Sequence, residues 1–268
     1  MPRIKDQAIC IRHVDWSETS QVVTLLTEQH GKISGVAKGS KRMSPSHVAR
    51  FSGGIELLTL GQVVATLKST VELASITEWD LQQTHRYLRQ DLVDHQMGLY
   101  GADLAAALLA DSDPHPASFA ALRDFLVELG KSYGRATAVL RYQWRMLDDC
   151  GYRPELAKDV RIGQPLADAA SYLFDAQGGG FTADAQAAEG PAETGPWRCR
   201  RQSLEILRRM AADDSDPLRA IAPADIERAN RLLCVYARAI LDRQLPTMTF
   251  MLDFPHQSEP GRPRPGPA

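Results

Sequence analysis

Residues 21–42 read QVVTLLTEQHGKISGVAKGSKR, and this stretch decides the architecture. Short alternating segments over Gln21–Thr27 and Lys32–Ala37 have the period of strands with one buried face, and no helical period runs through them. Between them His30-Gly31 supplies turn chemistry, so the two segments predict a hairpin. Working outward, further strands are predicted over Ile4–His13, Ile55–Leu67 (bent near Gly61) and Val71–Thr77, with a turn at Gly53-Gly54. About five strands in so short a segment suit a small closed barrel, and the OB-fold is the commonest five-stranded barrel that binds nucleic acid.

Past Asp80, read as a helix N-cap, the period becomes helical. Leu88, Leu92, Leu99, Leu104 and Leu108 run toward a stop at Asp113-Pro114. A second helix carries Phe119, Leu122, Leu126 and Leu129 and ends at Gly130, and a third carries Val139, Leu140, Trp144 and Leu147 and ends at Gly151. Helices return at Leu204–Met210 and Ile226–Leu241. Between about Lys158 and Trp197 the period is lost. There Tyr172–Phe174, Gly178-Gly179-Gly180 and Phe181 predict one small hairpin, and Ala183–Gly195, poor in large apolar residues, is expected to be disordered. Pro255–Ala268 is rich in proline and is expected to be a flexible tail. The fold class is therefore α+β and multidomain. Residues 1–80 form a barrel, 81–157 with 198–254 a helical bundle, 158–197 a small insertion and 255–268 the tail.

With 44% hydrophobic and 24% charged residues among 268, the chain can bury a substantial core. It has no apolar run of the roughly 18 residues a membrane helix needs, and MPRIKDQAIC lacks the apolar stretch of a signal peptide, so a cytoplasmic protein with no membrane partner is expected. Cys10, Cys150, Cys199 and Cys234 stand singly, which suits reduced thiols rather than a disulfide framework. A net charge of -2 does not announce a nucleic-acid binder, and the distribution of charge says more than the sum. No carboxylate lies between Glu28 and Glu56, while Lys32, Lys38, Lys41, Arg42 and Arg50 all do, which predicts a local positive patch.

Three strings carry a resemblance: Ala8-Ile9-Cys10-Ile11-Arg12, then Ser17-Glu18-Thr19-Ser20, then Thr27 through Gly39 (TEQHGKISGVAKG). Together they resemble the opening of the RecO family. Leu147 through Leu156 (LDDCGYRPEL) resembles the same family's helix end before its zinc-binding insertion. The matches anchor roughly residues 4–80 and 135–182. The resemblance implies an N-terminal OB-fold, a C-terminal helical bundle and a small knuckle, and a function in binding single- and double-stranded DNA and annealing complementary strands. It implies RecR as a partner, contact with the C-terminal tail of single-stranded DNA-binding protein, and indirect help to RecA. It implies no enzyme. Two departures stand out. Where many members carry a first CxxC pair this chain has Asp159 and Ile162, and the second pair is missing from Phe181-Thr182-Ala183-Asp184-Ala185. Where many have a Ser-Arg step after the last helix, it has Leu245-Pro246-Thr247-Met248. A zinc-knuckle-like subdomain without its cysteines is expected, holding no metal and packed on Leu156, Tyr172, Leu173 and Phe181.

Binding to single strands gains free energy chiefly by releasing counterions condensed on phosphates. Lys32 alternates to the face opposite Ile33, and Lys38, Lys41 and Arg42 sit in a Gly/Ser-flanked loop whose backbone can approach phosphates closely. The DNA-binding set is therefore Lys32, Lys38, Lys41, Arg42 and Arg50, with Phe51 beside Arg50 as a stacking side chain. Trp16 and Trp79, the other large aromatics of the segment, are assigned mainly to core packing, and Lys5, Arg12 and Lys68 to the polar sides of strands. Few aromatics mean backbone-dominated, sequence-blind binding. No catalytic or cofactor residues are assigned: there is no GxxxxGK[ST] loop, Gly178-Gly179-Gly180 is a hairpin tip, no HExxH occurs, and Cys150 ends a helix. The alternative is a protein-interaction adaptor of the repair machinery with weak or no DNA binding.

Overall fold

The computed structural model describes residues 2–67, 73–131, 134–183, 197–212, 218 and 220–253. Lys68, the start of the strand predicted at Val71, most of Ala183–Gly195 and the Pro255–Ala268 tail lie outside the described residues. The chain divides into two compact units, Met1–Lys131 and Ser132–Ala268.

The first unit is built on β1 (Arg3–Asp15), β2 (Gln21–Thr27), β3 (Lys32–Ala37), β4 (Leu60–Thr66) and β5 (Ala74–Gln83). They pair in the closed order β1-β2-β3-β5-β4, antiparallel throughout except where β3 meets β5. Closure leaves no free sheet edge. Alternation then sends Ile4, Ala8, Cys10, Val23, Leu25, Ile33, Val63, Ala65 and Ile76 inward. A bulge between Cys10 and Arg12 inserts Ile11, so that Cys10 and Ile11 are both buried.

The short helix α1 (Pro45–Phe51) joins β3 to β4 and was not legible as a helix. It begins with Pro45 in the first turn, where a missing N–H costs nothing, and ends at Ser52 in the left-handed region. Phe51 and Ile55 close into the barrel core. Residues expected to open the next strand instead form a turn in which the Thr59 amide and hydroxyl both donate to the Glu56 carbonyl, so β4 starts at Leu60 rather than at Ile55.

Helix α2 (Leu92–Leu108) starts later than predicted, because Asp80 pairs with Gln62 inside β5. The true cap is Asp91, whose carboxylate accepts from the Val93 and Asp94 amides. Helix α3 (Pro116–Leu129) follows and ends at Gly130. The link between them packs on the His30-Gly31 turn: the Ser112 amide donates to the Lys32 carbonyl, and a Cβ on Gly31 would stand 2.2 Å from the Asp113 carbonyl oxygen. Both helices thus belong to the compact unit of the barrel.

The second unit contains α4 (Arg135–Asp149), α5 (Arg201–Ala211), α6 (Pro223–Leu241) and α7 (Pro246–Asp253). Gly151 at φ +77° ends α4, with the Tyr152 amide reaching back to the Leu147 carbonyl. Between α4 and α5 lies a small antiparallel sheet in the order β7 (Gly180–Thr182), β6 (Ser171–Asp175), β8 (Trp197–Arg200). The predicted hairpin is β6-β7, and β8 is an addition to it. Leu156, Tyr172, Leu173 and Phe181 are buried as expected, with Phe174 edge-on to Phe181 and to Tyr236 of α6.

Candidate nucleic-acid interface

The Lys38–Ser44 loop is held by a chain of hydrogen bonds that starts in the β1–β2 turn. Ser17 Oγ accepts from the Ser20 amide, and the Trp16 and Ser17 amides both donate to the Ser20 carbonyl, which closes that turn. The loop then seats on it: the Lys41 amide donates to the Thr19 carbonyl at 3.1 Å and the Gly39 amide to Ser20 Oγ at 3.3 Å. Buried Gln21 ties down the far side, accepting from Ser40 Oγ and the Ile55 amide and donating to the Ile55 carbonyl. Gly39, at φ +72°, makes the bend at no side-chain cost. A rigid backbone holds its cations in place, so little conformational entropy is lost when an anion arrives.

Lys38 and Arg42 project from this frame as exposed side chains, and neither makes an ion pair or side-chain hydrogen bond among the described residues. Lys41 is partly committed, donating to Asp15 Oδ2 at 2.7 Å. That hydrogen bond is the main reason the Asp15 carboxyl lies below its ordinary range. The sequence window free of carboxylates is therefore not free of them in space. Arg50 is exposed on α1, with one guanidinium nitrogen donating to the Thr77 carbonyl at 3.0 Å.

Two of the predicted residues are placed elsewhere. Lys32 lies under α2, its ammonium donating to the Ala106 carbonyl at 2.7 Å and pairing with Asp111 at 3.2 Å, so it holds the helix to the barrel. Phe51 is 1% exposed in the barrel core, which removes it as a stacking side chain. The Arg50 guanidinium lies 5.8 Å from its ring, but the ring has no face open to a base. Trp79 is likewise core. Trp16 reverses the expectation: it is 74% exposed. The signal was its position among Asp15, Ser17, Glu18, Thr19 and Ser20, a polar turn that cannot wrap an indole.

No group of three or more His, Cys, Asp or Glu suited to a metal occurs among the described residues. The zinc knuckle that the resemblance implies does not fit this chain. Ile162 has no donor atom, and Asp159 spends both carboxylate oxygens internally. Oδ2 accepts from Thr182 Oγ1 at 2.7 Å and the Ala183 amide at 3.0 Å, and Oδ1 from the Arg161 amide at 2.9 Å and the Ile162 amide at 3.4 Å. Burial works to raise the Asp159 pKa, but these bonds together hold it below the ordinary carboxylate value. The Asp6–His30 pair, at 2.8 Å, is also structural: Asp6 accepts from the Gln7 and Gln29 amides and so pins the β2–β3 turn to β1. Burial pushes the Cys10 and Cys199 thiols up to about 12, far from a reactive thiolate. No helix among the described residues is long and apolar enough to cross a membrane.

Sequence comparison places known proteins beside this geometry. A profile described as recombination protein O N terminal matches residues 1–85, and one described as recombination protein O C terminal matches residues 89–249. The DNA repair protein RecO of Anaeromyxobacter sp. (strain K) is 30% identical over 256 residues, covering 94% of this chain and 96% of the relative. Those of Salinibacter ruber and Myxococcus xanthus are each 28% identical, covering 91% and 94% of this chain and 90% and 98% of the relatives.

Proposed function

Since the chain belongs to the RecO family of DNA repair and recombination proteins, we propose that it is a non-catalytic mediator that binds single- and double-stranded DNA, anneals complementary strands and, with RecR, helps load RecA. The barrel, read as an OB-fold, holds the strand. The helical remainder contacts partners, among them the C-terminal tail of single-stranded DNA-binding protein.

The observation that carries this reading is the pair of exposed cations Lys38 and Arg42, unpaired among the described residues, on a loop fixed by hydrogen bonds to the β1–β2 turn and to Gln21. Phosphates answer to charge and spacing, not to base identity, so such a loop binds any sequence. Lys41 joins when a phosphate displaces Asp15, and Arg50 adds a fourth charge nearby in sequence. For the tail, the second unit offers an open cleft of about 680 Å³ lined by Tyr152, Arg153, Leu156, Arg208 and Tyr236. Aromatic and aliphatic walls with arginine at hand suit a short apolar segment that ends in carboxylates. The insertion β6-β7-β8 is read as a zinc-knuckle-like subdomain in which the Asp159 hydrogen bonds stand in for a metal.

The test is annealing of complementary strands coated with single-stranded DNA-binding protein, with and without the full chain. Acceleration supports the mediator reading. No acceleration, together with no salt-dependent binding of labelled single strands, leaves the adaptor.

A further inference from the structure

We propose that Trp16 is a base-stacking platform, and that with the outer face of β1-β2-β3 beside it the protein grips the unpaired bases of a single strand as well as its phosphates. This rests on the reading of the barrel as a DNA-binding module.

Register puts the apolar groups in place. Val14 of β1 lies opposite Val22 of β2, and Val22 opposite Val36 of β3. Their neighbours Val23 and Ala37 point into the core, so the three valines form a cross-strand row on the outside of the barrel. Val14 is 65% exposed, and Val22 and Val36 are half-buried. Trp16 and Lys38 each follow two positions beyond the row's outer members, at the same end of the hairpins. Toward the other end of this face Arg12 meets Asp103 of α2 at 3.7 Å and Lys32 meets the α2 carbonyl, so the helix covers that end only.

Because the backbone of the turn that carries this exposed indole is already pinned, stacking costs only side-chain entropy there. An apolar row alone would suit many partners. The exposed lysine beside it and the cationic loop seated on the same turn select one that is anionic and carries flat apolar rings. Unpaired nucleotides meet both demands, whereas a duplex keeps its base faces stacked inside. The same patch thus gives the protein a preference for single strands over duplex.

The test uses the full chain with three probes: oligothymidylate, an abasic strand of equal length and a duplex. Trp16→Ala should weaken oligothymidylate binding about 5- to 50-fold. It should leave abasic-strand and duplex affinity within about twofold and the unfolding midpoint unmoved, since the side chain is exposed. Trp16→Phe should restore most of the affinity while losing the fluorescence quenching that oligothymidylate causes in the parent. If Trp16→Ala binds oligothymidylate like the parent while loss of the loop cations weakens it, stacking is refuted and the phosphate site stands. Equal weakening for abasic and thymidine strands would also refute stacking. Failure of the parent to bind any strand would overturn both readings, and a self-associating parent whose Trp16→Ala variant is monomeric would assign the patch to a second copy of the chain.

Discussion

Replacing Asp159 with Asn tests whether hydrogen bonds hold the insertion where the family's metal would. Asp159 is 4% exposed, and its carboxylate accepts four hydrogen bonds, three from backbone amides. Asn keeps one acceptor and turns an NH2 toward the other set of donors. With the NH2 toward Thr182 the hydroxyl can rotate to accept, but the Ala183 amide is orphaned. With it toward Arg161 and Ile162, two amides are. A buried orphaned donor costs about 1–3 kcal/mol, and the surviving bonds lose their charge assistance, which places the change at about 2–4 kcal/mol. At about 3–4 °C per kcal/mol for a unit of this size, calorimetry on the full chain should show the second unit's midpoint falling by roughly 6–16 °C. The pH dependence has a defined sign. A carboxyl whose folded pKa lies below its unfolded value stabilises above the unfolded value, about 3.9, and that contribution is lost as pH falls toward the folded value. The difference between parent and variant should therefore be full at neutral pH and shrink in acid, and a chelator should move neither midpoint. A variant with the parent's midpoint at neutral pH, or a deficit that does not change with pH, would refute the reasoning.

Gly31→Ala should destabilise the first unit by more than about 1 kcal/mol in urea unfolding, since Gly31 has φ +70° and faces the Asp113 backbone at 2.2 Å. Lys32→Ala should lower stability by about 1 kcal/mol through loss of the Ala106 and Asp111 contacts, yet leave the salt dependence of strand binding unchanged. Thiol labelling of the native protein should be slow at buried Cys10, Cys199 and Cys234, with any fast phase confined to half-buried Cys150, as mass spectrometry of the labelled peptides would show.

Local signals explain what was legible. The hairpin of β2 and β3 follows from a run of short apolar repeats around His30-Gly31, and α3 and α4 from helical periods ended by glycine. Helix α1 escaped because seven residues with one buried side chain, Phe51, do not make a period, although Ser44-Pro45 is an ordinary helix start. Asp80 misled because a strand's outward-facing Asp and a cap Asp look alike without knowing where the barrel ends. In the candidate site, charge was legible but its spending was not. The carboxylates that engage Lys32 and Lys41 come from Asp111 and Asp15, far apart in sequence and joined by the fold. Phe51 and Trp16 exchanged roles for a related reason. A helix absent from the sequence reading turned Phe51 inward, and a hairpin tip turned Trp16 out.

The central claim, that a pre-formed cationic loop holds single strands by their phosphates, is tested most directly by the salt dependence of binding in the Lys38→Ala/Lys41→Ala/Arg42→Ala triple variant. With three or four phosphates neutralised, log affinity against log salt should slope at about -2 to -3 for the parent, and removing three cations should flatten it by about 2. Annealing should slow in parallel, equally for strands of different sequence, with the unfolding midpoint unchanged. A folded triple variant that keeps the parent's slope and annealing rate would contradict the account.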